Sequence, residues 1–299
     1  VRGSFSGIGA ELGIRNDRLV IIAPLKSTPA SQSGLEPGDF IATINGSSTE
    51  GISIDKAVSI IRGPEGTQVT LGIVRKGWDK ARDFKITRAP IIAPTLDYEL
   101  REGDIGYIHI HSFNANLNSL FYRAAMDLLD RRVRGIVLDL RNDPGGYLDV
   151  SVDMAGWFLK RDTLVVKEIG RDGMSQDFKA FGNELLAKMP VVVLVNQGSA
   201  SASEILAGTL RDNRGIRIIG EQSFGKGTVQ ELQTLKDGST MKITIAKWVL
   251  PSGQVLEGAG LKPDIEIKRT EDDVTNKKDP QLDKALETLR EEIRKSREL

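Results

Sequence analysis

Apolar residues fall into two rhythms along the chain. In roughly the first ninety residues, short apolar runs sit between glycine turns. GIGAELGI, RLVIIAPL, FIATING and QVTLGIVRKG read as strands. One stretch breaks that pattern: SIDKAVSIIRG puts Ile54, Ala57, Val58 and Ile61 at helical spacing and stops at Gly63-Pro64. A small β-rich unit over residues 1–88 is expected, with one amphipathic helix. From 89 to 270 strands and helices alternate. GDIGYIHIHSF reads as a strand, SLFYRAAMDLLDRR as a helix and GIVLDL as a short strand buried on both faces. YLDVSVDMAGWFL is a helix, MPVVVLVN a second buried strand, SASEILAGTLRDN a helix and IRIIG a strand. The fold class is therefore mixed α/β, a β-rich domain followed by an α/β core with crossover helices. Residues 271–299 form a charged linker and a last helix, with Leu282, Leu286, Leu289 and Ile293 on one stripe. That stripe suits either the chain's own core or a second subunit.

Composition narrows the functions. The 299 residues are 39% hydrophobic, enough for ordinary cores, and 41 basic side chains balance 41 acidic ones. No global field favours nucleic acid or an anionic membrane. No apolar run approaches the ~20 residues that span a bilayer. The chain starts abruptly at Val1, so an export signal is expected to have been removed. Cysteine is absent, which excludes disulfides, thiol nucleophiles and Cys-type zinc sites. The two histidines, His109 and His111, share one face of a strand without a third ligand nearby in sequence. Neither a metal nor a cofactor is expected, and a Ser–His–Asp triad is poorly supported. A nucleophilic hydroxyl in this chain needs a different base.

GEQSFGKGT, residues 220–228, nearly spells a phosphate-binding loop but fails at its last position. Gly227 stands where a Mg²⁺-binding hydroxyl belongs, and TVQELQTL reads as a strand rather than the required helix. No nucleotide is expected. Upstream, VVVLVNQGSASASEILAG carries a buried strand into a helix through Gly198 and three serines. A serine there meets the positive end of the helix dipole, as a nucleophile requires. Ser201-x-x-Glu204 is equally a capping box, and spacing does not choose among Ser199, Ser201 and Ser203. In DLRNDPGGYL a buried strand ends at Pro144-Gly145-Gly146, where bare N–H groups can hold an oxyanion or simply make a tight turn. The Gly7–Gly9 turn ahead of a strand can form a nest for a carboxylate.

Taken together, DLRNDPGG, NQGSASASE and GEQSFGKGTVQ resemble the carboxyl-terminal processing proteases, serine peptidases with a Ser–Lys dyad and a PDZ domain. The resemblance covers essentially the whole chain, except that the segment before the PDZ domain is missing. It implies Ser201 as nucleophile, Lys226 as general base and Gln230 as the third site residue. It implies Gly146 and Ala202 as oxyanion donors, with Gly145 as the neighbouring choice. Gly7, Ile8, Gly9 and Ala10 fall where the PDZ carboxylate-binding loop belongs. A lysine base must be substantially neutral, whereas an unperturbed lysine titrates at ~10.4. Burial lowers such a value by up to ~3–5 units, and Phe224 and Val229 are the expected apolar neighbours. Polypeptides with free C termini are the implied partners, an extracytoplasmic site the implied location, and a homodimer or higher oligomer through the terminal helices is expected. Rigid-body motion is expected about Gly77 and Arg88-Ala89-Pro90, with Arg62 coupling the PDZ domain to catalysis. The competing classes are a PDZ adaptor with a dead protease scaffold and an acyl-CoA-type transferase. The intact Ser201, Lys226 and Gln230 argue against the first, and the PDZ-like unit against the second.

Overall fold

The computed structural model describes all residues except 1–3, 16, 26, 37, 76, 93, 235–239, 271, 274–275 and 299. Two compact units divide at residues 93 and 94.

In the first unit the elements run β1 (Ser4–Gly7), β2 (Ala10–Arg15), β3 (Arg18–Pro24), α1 (Pro29–Gln32), β4 (Phe40–Ile44), β5 (Ser47–Ser48), α2 (Ile54–Ile61), β6 (Gln68–Val74), β7 (Arg82–Thr87) and β8 (Ala89–Ile92). The antiparallel sheet has the order β2-β3-β4-β6-β7, with β5 hydrogen-bonded to β4. Alternate residues of the strands, among them Leu19, Ile21, Ile41, Leu71 and Ile73, bury against Ala57 and Ile61 of α2. Ile54 at the start of α2 is exposed rather than in the core.

The expected joint at residues 88–90 is part of this unit instead. β8 pairs with β1, Gly7 opposite Ala89 and Ser4 opposite Ile92. Arg88 is buried and donates to the carbonyls of Ile60 (3.0 Å), Ile61 (2.7 Å) and Gln68 (2.8 Å) and to Thr67 Oγ1 (2.9 Å). Its cation closes the C-terminus of α2, where the dipole favours positive charge. Gly77, the other expected joint, lies between β6 and β7 with φ 87°.

The second unit contains β9 (Leu96–Arg101), β10 (Ile105–Ile110), α3 (Leu117–Asp130), β11 (Gly135–Asp139), α4 (Leu148–Phe158), β12 (Leu164–Gly170), β13 (Ser175–Lys179), β14 (Val191–Val195), α5 (Ala202–Arg214), β15 (Arg217–Gly220), β16 (Thr228–Thr234), β17 (Thr240–Val249), β18 (Ile265–Glu266) and α6 (Pro280–Glu298). The main sheet has the order β18-β15-β14-β11-β10-β9. It is parallel from β18 to β10, and β9 closes it antiparallel. The continuous apolar run of β14 has a direct cause: both its faces are covered. Val191, Val193 and Val195 face the core built with α3, α4 and α5. Val192 and Leu194 face Ala285, Leu289 and Ile293 of α6. The last helix thus lays its apolar stripe on its own sheet, which removes that stripe as a ready surface for a second subunit.

A separate antiparallel sheet, β13-β12-β17-β16, was only half legible. β16, expected as a strand, pairs antiparallel with β17, Thr228 opposite Lys247 and Thr234 opposite Thr240, and residues 235–239 between them lie outside the described residues. β13 (SQDFK) is polar and largely exposed, so its strand state comes from pairing with β12 rather than from an apolar pattern.

Leu289 is fully buried between α6 and the sheet. Leu289→Ala is expected to destabilise the second unit by about 2–5 kcal/mol. Denaturant unfolding checks this; a loss near zero means that α6 is not part of the core.

Candidate active site

Three loops leave neighbouring parallel strands β11, β14 and β15 at their carboxyl ends, the usual location of sites in open α/β sheets. The loop after β14 carries the serines. Ser199 is buried; its Oγ donates to the Leu140 carbonyl (2.8 Å) and accepts the Asn196 N–H (3.0 Å). Ser203 is buried too, its Oγ lying 2.9 Å from the Asp143 carbonyl and 2.8 Å from the Ala200 carbonyl while accepting the Ala200 N–H. Both hydroxyls are structural. Ser201 differs, for it lines an open cleft and has φ 58°, ψ −117°. An ordinary N-cap is extended, so the cap alone does not account for this backbone. Strain of roughly 1–3 kcal/mol is typical of such a conformation and of a sharp strand-to-helix turn that projects a nucleophile.

The loop after β11 forms the Gly145-Gly146 turn. Phe113 N–H donates to the Gly145 carbonyl (3.0 Å) and Tyr147 N–H to the Phe113 carbonyl (2.8 Å). This bridge leaves the Gly146 N–H directed away from Phe113. The Gly145 N–H donates to Asp143 Oδ1 at 2.8 Å, so it is occupied. Side chains are excluded at both glycines: a Cβ on Gly145 would stand 2.5 Å from the Ala200 carbonyl oxygen, and one on Gly146 would overlap Phe113. Asn142 and Asn196 tie this loop to the serine loop, with Asn196 Oδ1 accepting Asn142 N–H (2.8 Å) and Asn196 Nδ2 donating to Asn142 Oδ1 (2.8 Å).

The third loop brings Lys226. Its backbone is fixed by Glu204, a fully buried residue on the first turn of α5. The Glu204 carboxylate accepts Ser201 N–H (2.9 Å), Lys226 N–H (3.0 Å), Gly225 N–H (2.8 Å) and the Ser223 hydroxyl. The capping-box reading of Glu204 is thus realised, but it reaches much further than a cap. S-x-x-E was the only sequence signal for it; the partners from 223 to 226 are about twenty residues away and leave no local pattern.

Gly146, Ser201, Ala202 and Lys226 line one cleft of about 290 Å³, together with Leu148, Ile205, Thr228, Val229 and Trp248. Val229 was expected beside Lys226; Leu148, Ile205 and Trp248 were not, and in the sequence they read as ordinary core. The environment of Lys226 departs from expectation. Its side chain is exposed, Phe224 is 67% exposed instead of packing over it, and no hydrogen bond joins Ser201 and Lys226 among the described residues. The glycines on either side, Gly225 and Gly227, pack their backbones against 256–260. Gln230 follows on β16 opposite Thr244, and its side chain lies outside the described residues.

Behind the cleft, Arg141 of the DLRND motif binds Asp139 (2.6 Å), Asp279 (2.8 Å) and Gln281 (3.0 Å), and Tyr107 donates to Asp139 at 2.7 Å. Burial pushes the Asp139 carboxyl up, but the adjacent Arg141 guanidinium outweighs it and holds the acid below the usual range. Burial holds His109 below the ordinary histidine value, and its Nε2 lies 3.2 Å from the Arg141 carbonyl. His111 pairs with Asp97 at 3.0 Å.

In the first unit, the carbonyls of Ile8 and Gly9 are committed inward, to Ala30 N–H (2.7 Å) and to Leu25 N–H (2.8 Å) with Thr28 Oγ1 (2.9 Å). Gly7 ends β1 and Ala10 begins β2, an edge strand lying beside α2. Gly9 has φ 74°, and a Cβ there would overlap Thr28. Arg62 is the exposed C-cap of α2.

The family model of peptidase family S41 matches residues 104–267, a span that contains all three loops. The chain belongs to peptidase family S41. A PDZ-domain model matches residues 20–75 of the first unit. Among S41-type relatives, the probable CtpA-like serine protease of Staphylococcus aureus strain N315 is 39% identical over 268 residues, covering 89% of this chain and 53% of that protein. A carboxy-terminal-processing protease of Bartonella bacilliformis is 38% identical over 272 residues, 90% of this chain and 62% of that protein. The chain therefore spans little more than half the length of these relatives. The solved photosystem II D1 C-terminal processing protease superposes with a TM-score of 0.72 at 29% identity, covering 90% of this chain and 73% of that one.

In this S41 site, Glu204→Gln replaces one acceptor oxygen by an NH₂ group that confronts N–H donors. Turnover of a peptide substrate is expected to fall about 10²-fold, the scale of a ~1 Å misplacement of reacting groups. Steady-state kcat beside thermal unfolding checks this; an unchanged kcat removes Glu204 from the positioning of the site.

Proposed function

We propose that the chain is the catalytic and peptide-binding part of a serine endopeptidase that cuts polypeptides near their C termini. Ser201 attacks the scissile carbonyl while Lys226 takes its proton. The N–H groups of Gly146 and Ala202 hold the oxyanion, and water then releases the acyl group from Ser201. The observation that carries this reading is the strained Ser201 at the head of α5, in one cleft with Lys226 and the Gly145-Gly146 turn. Gln230 orients the lysine amine or the substrate.

The PDZ unit captures the substrate's free carboxylate on the N–H groups of the Gly7–Ala10 loop, and the peptide adds to the edge of β2 beside α2. Arg62 couples occupancy of that groove to turnover. An exported location follows from the family resemblance; among the described residues no helix is long and apolar enough to cross a membrane.

Lys226 lies open in the free cleft, where bound substrate would exclude water from it. A consequence is readable in kinetics. Cleavage is expected to rise with pH, because the uncharged base is the working form. Steady-state rates across pH check this, and a rate that does not rise with pH removes Lys226 as the base.

Ser201→Ala and Lys226→Ala are each expected to lower kcat by about 10³-fold or more with folding intact. Lys226→Arg gives no rescue, because guanidinium keeps its proton. Near-normal cleavage by Lys226→Ala would falsify the dyad. Gln230→Ala weakens turnover less completely, and Arg62→Ala slows cleavage of long substrates only. Amidated peptides are expected to bind the PDZ unit much more weakly than free acids in a titration; equal affinities remove carboxylate capture.

A further inference from the structure

Asp143 is the fully buried acid beneath the oxyanion turn, and the mechanism above does not use it. Its backbone joins the two loops that make the site: the Asp143 carbonyl accepts Ala200 N–H (3.0 Å) and lies 2.9 Å from the Ser203 hydroxyl. Its side chain makes one hydrogen bond, from Gly145 N–H to Oδ1, and Oδ2 is buried with no partner. The titratable groups on the surrounding elements are Asp139 and Arg141 on its own segment, His109 and His111 at the end of β10, Glu204 on α5 and Lys226 in the cleft. None of them bonds to the Asp143 carboxyl among the described residues. Arg141 is engaged by Asp139 and Asp279, and Glu204 by its four donors.

A buried carboxylate normally has a cation or two to three donors. This one has a single donor, and an unpaired charged oxygen costs more than an unpaired neutral one. The α5 N-terminus favours an anion nearby, but dipole effects at helix ends are smaller than the desolvation of a buried charge. We propose that Asp143 is a positioning residue whose uncharged carboxyl holds the Gly145 N–H, so that the next N–H, that of Gly146, faces the scissile carbonyl. In agreement, burial pushes this acid well above the usual aspartate range, against the smaller opposing pull of the Gly145 N–H. An anion at this place would also oppose the oxyanion that the turn has to stabilise. The catalytic half of the inference rests on the Ser201–Gly146 reading above; the protonation half does not.

Folded, the carboxyl keeps its proton above ~3.9, the ordinary aspartate value; unfolded, it loses the proton there. Unfolding then releases a proton, so wild-type stability falls as pH rises through the window between the unfolded and folded values. Asp143→Asn keeps the Oδ1 acceptor and has no proton to lose. Thermal unfolding of both proteins between acid and neutral pH is therefore expected to show the difference moving in favour of Asp143→Asn as pH rises from ~4. A pH-independent difference, or an Asn variant that does not fold, overturns the proposal.

In cleavage assays, Asp143→Ala is expected to lower kcat by about 10²-fold, the scale of one oxyanion donor, with KM little changed. Asp143→Asn restores most of that loss. An Asn variant as slow as a folded Ala variant, or an Ala variant with normal kcat, overturns the positioning role. Should Ser201→Ala remain active, the peptidase reading fails, while the unfolding experiment still reports on Asp143 alone.

Discussion

A single buried carboxylate fixes the geometry on which the rest of the site depends. Ser201 and Lys226 lie on different loops, and neither holds the other. Glu204 holds both, receiving the serine's N–H on one side and the N–H groups of Gly225 and Lys226 and the Ser223 hydroxyl on the other. An unpaired carboxylate in this position would cost several kcal/mol in desolvation. Hydrogen bonds to a charged group contribute about 1.5–3 kcal/mol each, so four donors make its burial tenable. The arrangement also restricts the loops: moving Ser201 or Lys226 leaves a buried charge short of a donor. Position is thereby enforced by electrostatics rather than by contact between the Ser201 and Lys226 side chains.

That carboxylate works only because the sheet has already brought the loops close. β11, β14 and β15 are consecutive neighbours in a parallel sheet, so their carboxyl ends lie side by side. β14, buried on both faces, pairs in parallel register with β11 and β15. α6 covers one face of β14, and Asp279 and Gln281 near its start grip Arg141 just upstream of the Gly145-Gly146 turn. The charged tail, read from sequence as a separate segment, is therefore tied into both the core and the segment that leads to Gly146.

What was legible in the sequence follows from how local each determinant is. The helices and buried strands of the second unit announce themselves through apolar periodicity, and the mixed α/β class follows from their order. The family was legible because DLRNDPGG, NQGSASASE and GEQSFGKGTVQ keep chemistry-bearing residues close to glycines that admit no side chain. β7 and β13 were not legible, since their residues are mostly polar and exposed, and their strand state comes from partners distant in sequence. β8 escaped for another reason: Arg88-Ala89-Pro90 looks like a linker until Arg88 is seen capping α2. Spacing left Ser199, Ser201 and Ser203 equivalent, and their distinction is tertiary. Two hydroxyls satisfy buried carbonyls and N–H groups, and one does not.

The exposure of Lys226 reverses the usual logic of a lysine base. Sequence reasoning asked the protein to bury the amine in advance, at a standing cost in folded-state solvation. The structure leaves the amine in an open cleft lined also by the apolar Leu148, Ile205, Val229 and Trp248. On the proposed reading, a substrate side chain that covers these residues also strips water from the amine. Part of the binding energy is then converted into activation of the base instead of tighter binding. On the same reading, a folded protein that cannot extend a segment into the cleft would leave the lysine hydrated and Ser201 unactivated. Selectivity for extended chain would in that case need no separate lid: the water around one ammonium group would suffice to keep the enzyme idle.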